Sequence, residues 1–324
     1  MDPVYQEATQ RFKKPKAREQ ARRQTKFQRQ LARNPYAQAL ATPSRHCPVT
    51  RITLPRFFLQ DFRIVEHPES KQPWWVPASL APTRPAPAQL PSDGHDAPKS
   101  TRDGDHETGG SSTTARRHGQ ARYVLSRRSL LESFMKPGTS YHRGQKRLQA
   151  MSSNPQQQAL AGRAVWREDM DDLVLELMRR RIVEELLFMA EMSANQGRKY
   201  VRRLGGWNEI RADVHRGCVL WIDGTSTEEV DERDGAHDAR TTDGPGEFAT
   251  VDLEEVKRDA KLPVHNLVSL LGREQVYRLR QGSPTFREGT LFLLSRQRTI
   301  DLQLKLWKLQ GYLATFGRST GLSS

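Results

Sequence analysis

Between Gly162 and Gly197 the chain runs without a glycine or a proline. Within that run Leu175, Met178, Ile182, Leu186 and Met189 recur at three- and four-residue steps, and Val174, Leu177, Val183 and Leu187 widen the stripe. The spacing matches the helical period, so it predicts one long amphipathic helix whose broad apolar face sits in a core. Arg179, Arg180 and Arg181 stand in its middle; one face of the triplet stays in water while neighbouring stems lie along the core edge. Replacing Arg179 or Arg181 is expected to cost little stability. Glu168, Asp169, Asp171 and Asp172 gather at the helix start, where carboxylates favour the positive end of the dipole.

Around this helix the sequence predicts an α+β fold, mostly α-helical, with a small strand-containing N-terminal module. Leu54–Val65 and Trp74-Trp75-Val76, separated by the turn-rich residues 67–73, read as two short strands joined by a loop. The run 217–222 is a third strand candidate. Ser129–Met135 reads as a short helix, ended by Pro137-Gly138. Pro263 is expected to open a short helix through Leu271, with another over Glu274–Arg280. Thr290–Leu313 reads as the last strong helix, with Ile300, Leu304 and Trp307 on one face. Hydrophobic residues make up 35% of the 324, below the ~45–50% of a globular chain by a count that includes glycine. A single core of roughly 180–200 residues with disordered attachments fits that shortage. The segments are a basic disordered arm (1–33), a folded module with strands (34–76), a disordered linker (77–120), the first part of a helical core (121–223), an acidic disordered insertion (224–248), the second part of the core (249–316) and a tail (317–324).

Charge points to the class of partner. The formal net charge is +14, and the acidic stretch 224–248 holds eight acids against two bases, so the remainder carries +20. The first 33 residues contain ten Lys or Arg and three acids. A basic arm on a compact module is the pattern of a protein that lies against polyphosphate, most commonly nucleic acid, next an anionic membrane surface. Arg11, Lys13, Lys14, Lys16, Arg18, Arg22, Arg23, Lys26, Arg29 and Arg33 are the candidate phosphate contacts. Arg143, Lys146, Arg147, Arg202 and Arg203 form a second rank. No run of 18 apolar residues occurs, so no membrane span is expected.

No motif reads as an enzyme site. Gly317-Arg318-Ser319-Thr320-Gly321 matches GxSxG, but that motif needs a strand before the serine and a helix after it. The loop Gly138–Lys146 has five residues between its glycines, where a phosphate-binding loop has four. His46-Cys47 offers two ligands where a structural zinc needs four, and Cys47 and Cys218 cannot build a disulfide framework. Trp74-Trp75 could stack on unpaired bases, or place one ring in the core and one at a strand edge. No catalytic residue, metal, cofactor or small-molecule substrate is expected.

Asn34-Pro35-Tyr36-Ala37-Gln38-Ala39-Leu40-Ala41-Thr42-Pro43-Ser44-Arg45-His46-Cys47, followed by Leu54-Pro55-Arg56-Phe57-Phe58-Leu59, resembles nucleus-encoded fungal proteins of the mitochondrial ribosome and its assembly or expression factors. The likeness lies in a basic arm, a short apolar module and low-complexity insertions, and covers residues 10–65 best. It implies a mitochondrial matrix location and contact with ribosomal RNA or mitochondrial messenger. The chain departs from the pattern in its first residues, which carry Asp2 and Glu7 and no serine, and in having no RRM, KH or zinc-knuckle motif. The expectation is a non-enzymatic protein that binds RNA, ribosomal above all, and neighbouring proteins. The alternatives are an interaction scaffold whose arm is only an import signal, and a nuclear or nucleolar ribosome-biogenesis protein. Lys13-Lys14-Pro15-Lys16 with Arg22-Arg23 suits nuclear import.

Overall fold

The computed structural model describes residues 25–81, 117–134, 136, 144–150, 154–197, 199–212, 216–223, 245–246, 248–252, 261–295 and 298–315. It is a mixed α+β fold in which a three-stranded and a five-stranded sheet share one core with a long helix, beside a small two-stranded hairpin. The described residues open with helix α1 (Lys26–Ala32) and helix α2 (Pro35–Leu40). Asn34, the expected turn residue, caps α2: its side chain accepts hydrogen bonds from the backbone of Tyr36 and Ala37, and Pro35 sits at the first helical position, where its missing N–H costs nothing. A small hairpin follows, β1 (Ser44–His46) against β2 (Thr53–Pro55).

The first sheet is β3 (Leu59–Glu66) between β4 (Pro73–Pro77) and β5 (Arg117–Leu125), all antiparallel. The two strands expected around residues 54–76 are present; β5 begins inside the segment expected to be a linker, and residues 82–116 lie outside the described residues. Gln60, Phe62 and Ile64 alternate inward on β3, the two-residue period of a half-buried strand. Phe62, Trp75 and Phe134 converge on Trp166, with ring centroids 4.9, 6.5 and 5.3 Å away. Trp75 is thus a core residue and Trp74 lies half-buried beside His67. Cys47 is fully buried and its Sγ accepts a hydrogen bond from the Leu125 backbone N–H, the packing of a small apolar group.

After α3 (Arg128–Glu132), α4 (Gly144–Ala150) and α5 (Pro155–Arg163), the long helix α6 runs over Met170–Gln196. Its buried side chains include Val174, Leu175, Met178, Ile182, Val183, Leu186 and Met189 of the stripe, with Met170, Asp171 and Ala190 beside them, while Leu177 and Leu187 are half-buried. Gly197 ends it at φ +61°, a left-handed stop that suits a residue without Cβ. The acids at its start have local partners: Asp171 and Asp172 bind Arg128 at 3.3 and 2.5 Å, and Asp169 binds Arg167 at 2.6 Å.

The arginine triplet divides differently from expectation. Arg180 is exposed and pairs with Glu184 one turn on. Arg181 donates to the Ser79 carbonyl. Arg179 is half-buried and its Nε donates to the Leu270 carbonyl at 3.0 Å, in a setting whose desolvation lowers the guanidinium pKa. Arg179→Gln is therefore expected to cost about 1.5–3 kcal/mol, the range for a hydrogen bond to a charged group. Arg180→Gln should stay within about 0.5 kcal/mol. Urea midpoints of the two variants check this.

The second sheet holds most of what periodicity missed. Its order is β6 (Val201–Leu204), β10 (Leu291–Ser295), β7 (Arg216–Trp221), β9 (Lys261–Asn266) and β8 (Thr250–Asp252), antiparallel except for the parallel pair β7–β9. The helix expected over Thr290–Leu313 is instead strand β10 followed by α11 (Ile300–Leu313). Leu291, Phe292, Leu293 and Leu294 are all buried. Phe292 and Leu294 join the main core; Leu291 and Leu293 join a second cluster with Val219, Leu262 and Val264 on the opposite face. A strand buried on both faces reads as a continuous apolar run, without the alternation that marks a half-buried one.

Pro263 likewise lies within β9 and does not open a helix. Pairing with β7 starts at Val264, one residue later, so the missing N–H breaks no bond on that side. The helix that follows, α8 (Leu267–Leu271), is capped by Asn266, whose side chain accepts from the Ser269 N–H. Helix α9 (Arg273–Gly282) then covers the expected Glu274–Arg280, and a single turn, α10 (Pro284–Arg287), leads into β10. A five-residue helix, α7 (Asn208–Ala212), sits between β6 and β7. One apolar cluster runs from Cys47 to Tyr312, so the N-terminal module and both helical segments share a core. No helix among the described residues is long and apolar enough to cross a membrane.

Candidate nucleic-acid interface

The part of the basic arm that is described is a helix. Thr25 and Gln28 close a capping box, each side chain accepting from the other's backbone N–H, which satisfies two donors at the helix start. Its only local signal is Thr25 three residues before Gln28. Lys26, Arg29 and Arg33 fall at positions i, i+3 and i+7, hence on one face. All three are exposed, and none has a carboxylate partner among the described residues. Phe27 and Leu31, four residues apart, form a neighbouring strip and are 66% and 41% exposed. No residue of α1 is buried.

What holds this helix to the body is aromatic. Gln38 Nε2 on α2 donates to the Ala32 carbonyl at the end of α1. Tyr36, also on α2, meets Trp307 of α11 edge-on at 4.6 Å. Phe57 stacks on the same indole at 5.1 Å and Phe58 meets it edge-on at 5.6 Å. Such pairs contribute about 0.5–1.5 kcal/mol each beyond burial. Burial raises the Tyr36 phenol pKa, and the Cys218 thiol adds to the shift. Trp307 was expected on the apolar face of the last helix; that it docks residues 36–58 needed a contact across nearly the whole chain, which no local pattern encodes.

The second-rank cations separate. Lys146 is exposed on α4. Arg147, one residue on, is half-buried and donates to the Val49 carbonyl at 3.1 Å, tying α4 to the β1–β2 turn. Arg202 is half-buried on β6, the edge strand of the other sheet, and Arg203 pairs there with Glu288 at 3.4 Å, both side chains largely exposed. These two thus belong to a different sheet from the arm's docking module. Arg45, which sequence reasoning passed over, lies over the Tyr123 ring at 5.6 Å. Arg11, Lys13, Lys14, Lys16, Arg18, Arg22, Arg23, Arg143 and the GxSxG stretch lie outside the described residues. Among the described residues no group of three His, Cys, Asp or Glu side chains could hold a metal ion.

Comparison with protein-family models, with curated proteins and with solved structures found no match.

Proposed function

We propose that this protein binds RNA, ribosomal above all, as a non-enzymatic part of a ribonucleoprotein, and that it works in mitochondrial translation or ribosome assembly in the matrix. The observation that carries the reading is α1 with its C-cap: Lys26, Arg29 and Arg33 face solvent without a carboxylate partner among the described residues, continuous in sequence with seven more cations in residues 1–25, on a helix fastened through α2 to Trp307. Cations on such an arm neutralise phosphates, giving affinity with strong salt dependence and little sequence choice. Exposed Phe27, Leu31 and Leu40 beside them offer apolar contacts to a neighbouring protein of the same particle.

Removing residues 1–33 tests this. No residue of α1 is buried, so melting of the body should be unchanged. RNA affinity should fall, and the slope of log affinity against log salt should shrink by up to ~7 if all ten cations meet single-stranded phosphate. Equal binding and equal slope with and without the arm would favour the scaffold alternative. In that case the truncated protein would be mislocalised in cells yet bind its protein partner normally when purified.

A further inference from the structure

A cavity of about 390 Å³ opens beside the Trp307 cluster. That is within the ~300–1,000 Å³ of small-molecule sites. Phe57, Phe58 and Trp307 supply aromatic walls, and Ser126, Arg127 and Lys308 supply the polar part of the lining. Two observations set this cavity apart from a packing defect. The Ser126 hydroxyl is buried and has no hydrogen-bond partner among the described residues. A buried polar atom in that state calls for an explanation, and an absent ligand is one. The Lys308 side chain is half-buried: its ammonium donates to the Leu59 carbonyl at 3.0 Å, and the charges acting on it include those of Arg56, Arg181 and the Asp61 carboxylate. Asp61 is engaged by Gln60 and by the Ser79 N–H. Among the described residues the polar lining of this otherwise apolar cavity comes from two basic residues, Arg127 and Lys308, and the hydroxyl of Ser126, with no acidic residue in it.

We propose that this cavity is a binding site for a small amphipathic carboxylate, its apolar body among the aromatic walls and its carboxylate against Lys308 and Ser126. An anion there would supply an acceptor for the Ser126 O–H, which has none among the described residues, and a negative charge beside Lys308. Burial pushes the Lys308 pKa down to about 8, the direction expected of an ammonium drawn partly out of water. The cavity shares Trp307, Phe57 and Phe58 with the junction that docks α2 but is lined by no residue of the arm, so decanoate binding is tested without RNA.

Gly311 gives a clean way to close the cavity. It lines the same space from α11, and a Cβ built on it meets no atom within 4 Å. A leucine there should fill the void, and replacing glycine within a helix favours the helix. The experiment is calorimetric titration of the full chain with decanoate and with decanol. Wild type is expected to bind decanoate saturably and at least tenfold more tightly than decanol. Gly311→Leu should lose decanoate binding by tenfold or more without a fall in melting temperature. Lys308→Met should weaken decanoate by tenfold or more and leave decanol unchanged. Absence of saturable decanoate binding to wild type would overturn the proposal, including where another segment of the chain fills the cavity. Undiminished decanoate binding in Gly311→Leu would place the ligand elsewhere and overturn it too. Should Gly311→Leu fail to fold, Lys308→Met decides: equal loss for decanoate and decanol, or no loss for either, would remove the head-group assignment.

Discussion

Leu186→Asp is expected to abolish cooperative folding or to lower the melting temperature by roughly 10–20 °C. Leu186 is fully buried on the inner face of α6, one turn from Ile182, in the cluster that joins both sheets. An unpaired carboxylate there forfeits its hydration with no partner in reach, at several kcal/mol. Total stability of a domain is ~5–15 kcal/mol, and for a body of this size each kcal/mol moves the midpoint by about 2–4 °C. The matched control is Phe188→Asp, two residues along the same helix. Phe188 is 58% exposed, so the same charge meets water and should change the midpoint little. Equal loss in both variants would mean that α6 buries a different face.

Acid should weaken the fold before carboxylates titrate, through His265. This residue lies on β9, opposite Leu220 of β7, and is 4% exposed. Its Nδ1 has no hydrogen-bond partner among the described residues, and burial pushes its pKa down to about 4. In the unfolded chain it returns to the ordinary value near 6.5. Between those two values the unfolded chain binds the proton and the folded chain does not, so stability falls as pH falls from about 6.5 towards 4. The accumulated loss is on the order of 3 kcal/mol at one pK unit per ~1.4 kcal/mol. Denaturant midpoints of wild type and His265→Leu at pH 7 and pH 4.5 would isolate the effect, since other acidic groups contribute equally to both. The expected result is a gap that shifts in favour of the variant at the lower pH; a constant gap would mean that His265 is hydrogen-bonded or hydrated.

Local pattern was enough wherever one face of an element meets the core and the other meets water. That holds for α6, whose stripe from Val174 to Met189 is the buried face, and for β3 with its alternating Gln60, Phe62 and Ile64. It failed where burial is two-sided. Leu291–Leu294 are packed from above and below, and an apolar run ahead of a true helical stripe merges with it. Pro263 misled for a related reason: a proline marks a helix start or a strand depending on which neighbour needs its N–H, and only the register with Val264 decides. For the candidate interface, the exposure of Lys26, Arg29 and Arg33 followed from composition. The fate of Arg147, Arg203 and Arg179 did not, because a guanidinium becomes structural when a carbonyl or carboxylate from a distant segment happens to face it.

The Trp307 junction has a consequence for the order of events during synthesis. Leu59 and Lys308 touch although they are 249 residues apart. At ~5–20 residues per second, roughly 10–50 s pass between the emergence of the two. For that interval Tyr36, Phe57 and Phe58 have no indole to cover them, and the most basic stretch of the protein hangs from an undocked segment. Long-range closure of this kind is slow and leaves apolar surface open to capture by chaperones. A chain that stops short of its last helix would lack the indole on which Tyr36 rests, so the docking of α2 certifies that translation has run to the end of the fold.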